Sequence, residues 1–150
     1  MTSPVSFGFN FDNSYLTLPK DFYSQQTIKS FRAPQNIIFN QELAQALELN
    51  ISELEQEGFV IANGDKFPQN AQPISQAYCG HQFGHFVTLG DGRAVLLGEH
   101  VTSESNRFDI HLKGSGPTTY ARGGDGLAAM GPMLREYLIS EAMHHLGIPT

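Results

Sequence analysis

The chain has 150 residues, 40% of them hydrophobic and 16% charged, and a net charge of −6 from 9 basic and 15 acidic side chains. That length suffices for one domain with a real core, and the acidic balance argues against a chain-wide attraction to nucleic acid. No apolar run approaches a membrane span, and the single cysteine, Cys79, excludes an internal disulfide or a multi-cysteine zinc site within these residues.

In chain order, Met1 to Ser6 lacks the basic and apolar regions of a signal peptide and the Arg-rich character of a transit peptide, so a cytoplasmic location is expected. Residues 1–40 interleave Phe7, Phe9, Phe11, Tyr15, Phe22, Tyr23, Phe31 and Phe39 with Asn, Asp and Pro, and sustain no helical or strand period. They read either as an extended arm that packs aromatics onto another surface or as an N-terminal core segment. Residues 40–58 predict helices. Asn40 caps the first, with Leu43, Ala44 and Leu47 on one face. Ser52 caps a second, with Glu55 completing a capping box and Gly58 as the stop. The acidic residues from Glu42 to Glu57 read as a solvated face.

Residues 60–78, with Asn63-Gly64, Pro68 and Pro73, predict a loop. The composition then shifts, because 11 of the 15 glycines lie between Gly80 and Gly131, and the site is placed there. Phe86 to Leu89 and Ala94 to Leu97 are short apolar runs on either side of Asp91-Gly92, which predicts strand, tight turn, strand. Phe108 to Leu112 alternates apolar and polar residues as a third strand, with Lys113 at its end. Residues 114–131 form a long Gly-rich loop. Pro132 and Gly147 bracket a helix over 132–146, on which Leu134, Tyr137, Leu138, Ala142 and Leu146 form an apolar arc that Ile139 and Met143 extend. The arc predicts a well-buried helix, so its carboxylates Glu136 and Glu141 need partners.

The chemistry gathers around phosphate recognition. Gly90-Asp91-Gly92-Arg93 lets backbone amides approach an anion closely and adds a guanidinium, though an ordinary turn with an exposed arginine has the same letters. Lys113 reads as a point charge for phosphates or as a snorkelling strand-end lysine. Glu136 and Glu141 are equally good partners for it by periodicity. Such a lysine–glutamate pair is how kinase folds position a nucleotide-binding lysine. Arg122 and Asp125-Gly126 lie in the Gly-rich loop, which reads as a ligand element or a simple connection.

Other patterns fail. There is no G-x-x-x-x-G-K-[ST] phosphate loop and no G-x-G-x-x-G between a strand and a helix. Cys79, His81 and His85 have the spacing of metal ligands but lack a fourth protein ligand. A Cys79 nucleophile paired with His81 has nothing nearby to activate it. His144-His145 suits the dipole end of its helix.

Several blocks together resemble the selenoprotein O family, also known as YdiU-type or UPF0061-type proteins. They are Phe11-Asp12-Asn13-Ser14-Tyr15, Leu18-Pro19, Phe22-Tyr23 and Asn40-Gln41-Glu42-Leu43-Ala44. The most characteristic runs from Gln76 to Gly84, Gln-Ala-Tyr-Cys-Gly-His-Gln-Phe-Gly. Leu89 to Ala94, Leu112 to Gly116, Tyr120-Ala121-Arg122, Gly124-Asp125-Gly126, Leu134 to Tyr137 and Gly147 to Thr150 match as well. The resemblance implies a protein-kinase-like fold with ATP bound in a reversed orientation. It implies transfer of AMP to protein hydroxyls with Mg2+ or Mn2+. It places Gly90, Gly92, Arg93, Lys113, Asp125 and Gly126 on ATP-binding positions, and Glu136, in preference to Glu141, on the glutamate that positions Lys113. It also implies that the catalytic aspartate and the metal ligands lie beyond residue 150, so that no catalytic or metal-binding residue is expected within the chain.

The expected fold is α+β, a kinase-like small lobe of three or more antiparallel strands with helix 132–146 packed on it and the aromatic arm wrapped outside. The expected domain is the N-terminal part of a single adenylyltransferase domain, with 1–75 as arm and short helices and 76–150 as nucleotide-binding strands, loop and helix. The expected function is ATP-dependent adenylyl transfer to Ser, Thr or Tyr of protein substrates, with the fragment inactive alone and with no nucleic-acid or membrane partner. The alternatives are a protein kinase transferring the γ-phosphate and a non-catalytic nucleotide-binding or interaction domain.

Overall fold

The computed structural model describes residues 6–82 and 84–149, so Met1–Val5, Phe83 and Thr150, which entered the readings above, lie outside the described residues. Its strands are β1 (Tyr23–Gln25), β2 (Ile74–Gln76), β3 (Cys79–Gln82), β4 (His85–Thr88), β5 (Ala94–Val101) and β6 (Arg107–Lys113). Its α-helices are α1 (Gln41–Ala46), α2 (Ile51–Glu57), α3 (Phe59–Ala62) and α4 (Met130–His145), and two short 3-10 turns precede β1. Among the described residues the strands form one antiparallel sheet in the order β1–β2–β5–β6 and a separate β3–β4 hairpin. The chain is therefore α+β with an antiparallel sheet, as the sequence predicts.

The strand connectivity differs from expectation at Asp91-Gly92. Phe86 does not pair across that turn with the start of β5. It pairs back with His81, and Cys79 pairs with Thr88. Asp91 is instead built into the end of β2: its amide donates to the Gln76 carbonyl at 2.9 Å and its carboxylate accepts from the Gln76 amide at 2.9 Å. With Asp91 committed to β2, Gly90 to Gly92 becomes the crossing from the hairpin to the sheet. β2 itself lies in the segment expected to be a loop.

β5 is the spine. The apolar run Val95-Leu96-Leu97 continues into Gly98, Glu99 and His100, and all six are buried. The polar pair is satisfied by the N-terminal segment. Glu99 accepts from the Ser14 hydroxyl at 2.6 Å and the Tyr15 amide at 2.7 Å. His100 Nδ1 accepts from the Asn10 amide at 3.0 Å, which leaves Nε2 to donate to the Leu47 carbonyl at 2.7 Å. Backbone bonds from Asp12 to Glu99 and from Val101 to Asn10 add this segment to β5 like a further short strand.

The start of the aromatic segment is thus core and not an outer wrap, whereas Phe22 and Phe31 further along stay exposed. Phe7 and Phe11 are buried with Leu54, Ile61 and Leu97, and Phe9 and Phe39 pack against that cluster. The reason is supply: α2 and α3 are too short to cover the sheet, and each buried aromatic adds about 1.5–3 kcal/mol of transfer free energy.

The short helices form near where the sequence puts them. Asn40 accepts from the Leu43 amide at 2.9 Å and caps α1. The cap of α2 is Asn50, not Ser52: Asn50 accepts from the Glu53 amide, and Ser52 donates its hydroxyl to the same oxygen at 2.9 Å. Gly58 ends α2 in right-handed helical geometry, and α3 follows at once. α4 begins two residues before Pro132, which then falls in the first turn where its missing N–H has no partner to lose. Contrary to the buried helix expected, α4 has no buried residue, and Leu138, Ile139 and Leu146 are each more than 60% exposed. Its Leu134 and Tyr137 are only half-buried, and polar ties join it to the rest of the chain. No helix is long and apolar enough to cross a membrane among the described residues.

Candidate functional site

The ends of β5 and β6 meet at one end of the sheet. Ala94 pairs with Lys113, and the Gly114 amide donates to the Arg93 carbonyl at 2.8 Å. The Gly-rich loop then folds back over this end. An isolated bridge between Ser115 and Leu127 closes it, and Gly126 lies so near Gly116 that a Cβ would sit 1.9 Å from the Gly116 carbonyl oxygen. Here glycine is required by space and by a φ of +68°.

Between the loop and the strand ends lies an open cleft of about 690 Å3, within the roughly 300–1,000 Å3 of small-molecule sites. Gly90, Gly92, Arg93, Lys113, Asp125 and Gly126 all line it, so the structure gathers every candidate binding residue in one place. Lys113 Nζ donates to both oxygens of Glu136, at 2.8 and 2.6 Å. The alternative partner, Glu141, accepts instead from Asn40 Nδ2 at 2.8 Å. These three bonds tie α4 to the sheet end and to the α1 cap.

The electrostatics suit an anion. The Asp91 carboxylate is turned to the Gln76 amide, and Asp125 Oδ1 accepts from the Leu127 amide of its own loop at 2.9 Å. Lys113 is offset by Glu136, whereas Arg93 has no ion pair among the described residues. A phosphate-bearing ligand would meet Arg93 and Lys113 on one wall and loop backbone on the other, with charge-assisted bonds as the main attraction.

Some lining residues carried no role in the sequence reading. Tyr120 packs its ring on Gly90 and Tyr78 reaches the cleft from the hairpin side; behind the lining, Thr118 donates its hydroxyl to the Asp91 carbonyl. Tyr78 and Tyr120 both lay in quoted motif blocks; only the fold shows which way they face.

The metal-like trio does not assemble. Directly opposite residues of an antiparallel pair share a face and neighbours along a strand alternate. Cys79 and His81 therefore share one face with Thr88 and Phe86, whereas His85 lies opposite Gln82 on the other. His81 packs edge-on against Phe86, and Cys79 Sγ lies 3.8 Å from the Thr88 hydroxyl. No cluster of three or more His, Cys, Asp or Glu side chains suited to a metal occurs among the described residues.

The family model described as Protein adenylyltransferase SelO matches residues 6–150. A Brevibacillus brevis protein named Protein nucleotidyltransferase YdiU is 60% identical over 144 residues, covering 95% of this chain and 29% of its own length. Proteins of the same name from Geobacillus kaustophilus and Clostridium botulinum are 58% and 56% identical, over 95% and 97% of this chain and 30% of their own length. The chain spans about three tenths of the length of the curated relatives it matches.

Proposed function

Because the chain belongs to the protein adenylyltransferase SelO family, we propose that it forms the N-terminal, kinase-like small-lobe part of a single ATP-dependent protein adenylyltransferase domain. The transferred group is AMP and the acceptors are Ser, Thr or Tyr hydroxyls of protein substrates. The observation that carries this reading is the Lys113–Glu136 pair at the edge of a cleft lined by Gly90, Gly92, Arg93, Asp125 and Gly126.

Nucleotidyl transfer depends on positioning and on stabilising charge that shifts between phosphate oxygens. In this chain Glu136 holds the Lys113 ammonium at the end of β6, where it faces a phosphate oxygen as a point charge. Arg93 adds a planar donor that pairs with no carboxylate among the described residues. Gly90 and Gly92 keep side chains out of the path, so that phosphate oxygens approach backbone. Asp125, held by the Leu127 amide, is the acidic group of the opposite wall.

Mg2+ or Mn2+ would supply the remaining neutralisation of phosphate charge. The described residues offer no ligand set for it, and no step is assigned to it. Since the chain also spans only about three tenths of its relatives' length, residues 1–150 alone are proposed to hold nucleotide without transferring AMP. Transfer by the isolated chain would overturn that clause.

The test uses full-length protein with ATP labelled at the α- or the γ-phosphate, beside Lys113→Ala. Protein-bound α-label that disappears in Lys113→Ala is the expected result. Transfer of γ-label alone would make the protein a kinase. Transfer of neither would leave a nucleotide-binding module without the enzymatic role.

A further inference from the structure

Resting on the nucleotide-site reading above, we propose that Arg122 is a further phosphate-binding residue of the cleft, held on Gln82 until the polyphosphate of a nucleoside triphosphate takes that place.

Arg122 lines the same cleft as Arg93 and Lys113. Its guanidinium reaches back to the β3–β4 hairpin, where both terminal nitrogens lie 3.3 Å from the single Oε1 of Gln82. Arg122 is exposed, so water serves its remaining donors, and one neutral amide oxygen shared at long distance is a weak tether that an anion can displace. Other paired cations of the chain fare better: Lys113 has Glu136, Arg107 has Asp12 and Glu99, and Lys66 has Glu57. No carboxylate pairs with Arg122 among the described residues.

The backbone adds a second argument. Arg122 has a φ of +52°, and Gly123 beside it has +77°. Glycine meets that left-handed geometry without strain, and arginine does not. A strained conformation persists where the surroundings impose it, and such positions concentrate at ligand clamps. The loop is imposed from the site side. The Ala121 amide donates to the Thr118 carbonyl at 3.1 Å, the Gly124 amide donates to the Ala121 carbonyl at 2.9 Å, and Thr118 is bonded to Asp91. The guanidinium is thus presented on a loop tied to the Gly90–Arg93 crossing. Exchanging a neutral amide oxygen for anionic phosphate oxygens replaces weak bonds by charge-assisted ones. Gln82 is a positioning residue in this scheme: it faces Arg122 from the hairpin and gives way to the ligand.

The experiment measures binding of ATP and of adenosine to the full-length wild type, Arg122→Gly, Gln82→Glu, the double variant and Lys113→Ala. Arg122→Gly suits the left-handed backbone, so it removes the charge without burdening the fold. The expected result is a loss of ATP affinity of about tenfold or more, the scale of a charged hydrogen bond, with adenosine affinity unchanged. Gln82→Glu should weaken ATP binding by pairing Arg122 more tightly, and that effect should shrink in the Arg122→Gly background. ATP affinity unchanged in Arg122→Gly while Lys113→Ala loses it would overturn the role of Arg122 and leave the site reading intact. An equal loss for ATP and adenosine would also overturn it, as a general disturbance of the cleft. No ATP binding by the wild type would remove the site reading and this inference together.

Discussion

The Tyr120 ring occupies the space in which a side chain on Gly90 would have to begin: a Cβ there would lie 2.5 Å from Tyr120 Cγ. Gly90 also has a φ of +137°, so geometry and space both demand glycine. Gly90→Ala should destabilise the protein by about 1–3 kcal/mol and displace Tyr120 from the cleft wall. Gly84 is the internal control, with a φ of +82° and nothing among the described residues within 4 Å of its would-be Cβ. Thermal melts with ATP titration should show Gly84→Ala losing some stability but little affinity, and Gly90→Ala losing both.

The Lys113–Glu136 pair is about half exposed, at 43% and 52% for the two side chains. Exposed pairs add about 0–1 kcal/mol to stability, so this one matters for where it holds the ammonium. Glu136→Gln in the full-length protein should leave the melting temperature nearly unchanged and lower the proposed AMP transfer by roughly tenfold or more. A large drop in melting temperature with proportional loss of activity would make the pair structural.

Removal of a core aromatic tests the N-terminal segment. Phe7 is 2% exposed and Phe11 is 6% exposed, in one cluster with Leu97 of the central strand. Phe7→Ala should cost about 3–5 kcal/mol in chemical denaturation. Phe31→Ala, at an exposed position, should cost far less. Similar small costs for both would return the segment to the role of an outer arm.

Acid sensitivity has one identifiable contributor. The Ser103 hydroxyl and amide both donate to the Glu48 carboxylate, which holds that carboxyl below the ordinary glutamate range, the hydroxyl bond contributing most. The folded state therefore binds this proton less readily than the unfolded state. The stabilisation is fully present above the ordinary glutamate pKa and is lost as pH falls through the lowered value. Melting temperatures between roughly pH 3 and 6 should fall less steeply for Glu48→Gln than for wild type. Parallel profiles would show that the Ser103 bonds do not distinguish the two states.

Local chemistry was legible wherever the chain signals to itself. The Asn40 cap, the β6 alternation ending at Lys113, and α4 between Pro132 and Gly147 follow from residues a few positions apart, so the sequence alone specifies them to within a turn. The glycine concentration also marks the site region, because close backbone approach has a compositional trace. The pairing of β4 with β3 and the turn of Asp91 onto β2 leave no such trace, and periodicity leaves Glu136 and Glu141 level, so that only the family resemblance of the Leu134–Tyr137 block separates them before the fold is seen. Each depends on which distant segment competes best for the same backbone bond or charge. Phe7 and Phe11 show the same limit, since an aromatic-rich segment becomes core or cover according to what else is available to bury the sheet. Burial and partner choice are properties of the assembled chain: non-local contacts compete for shared surface, and only the tertiary structure decides which of them wins.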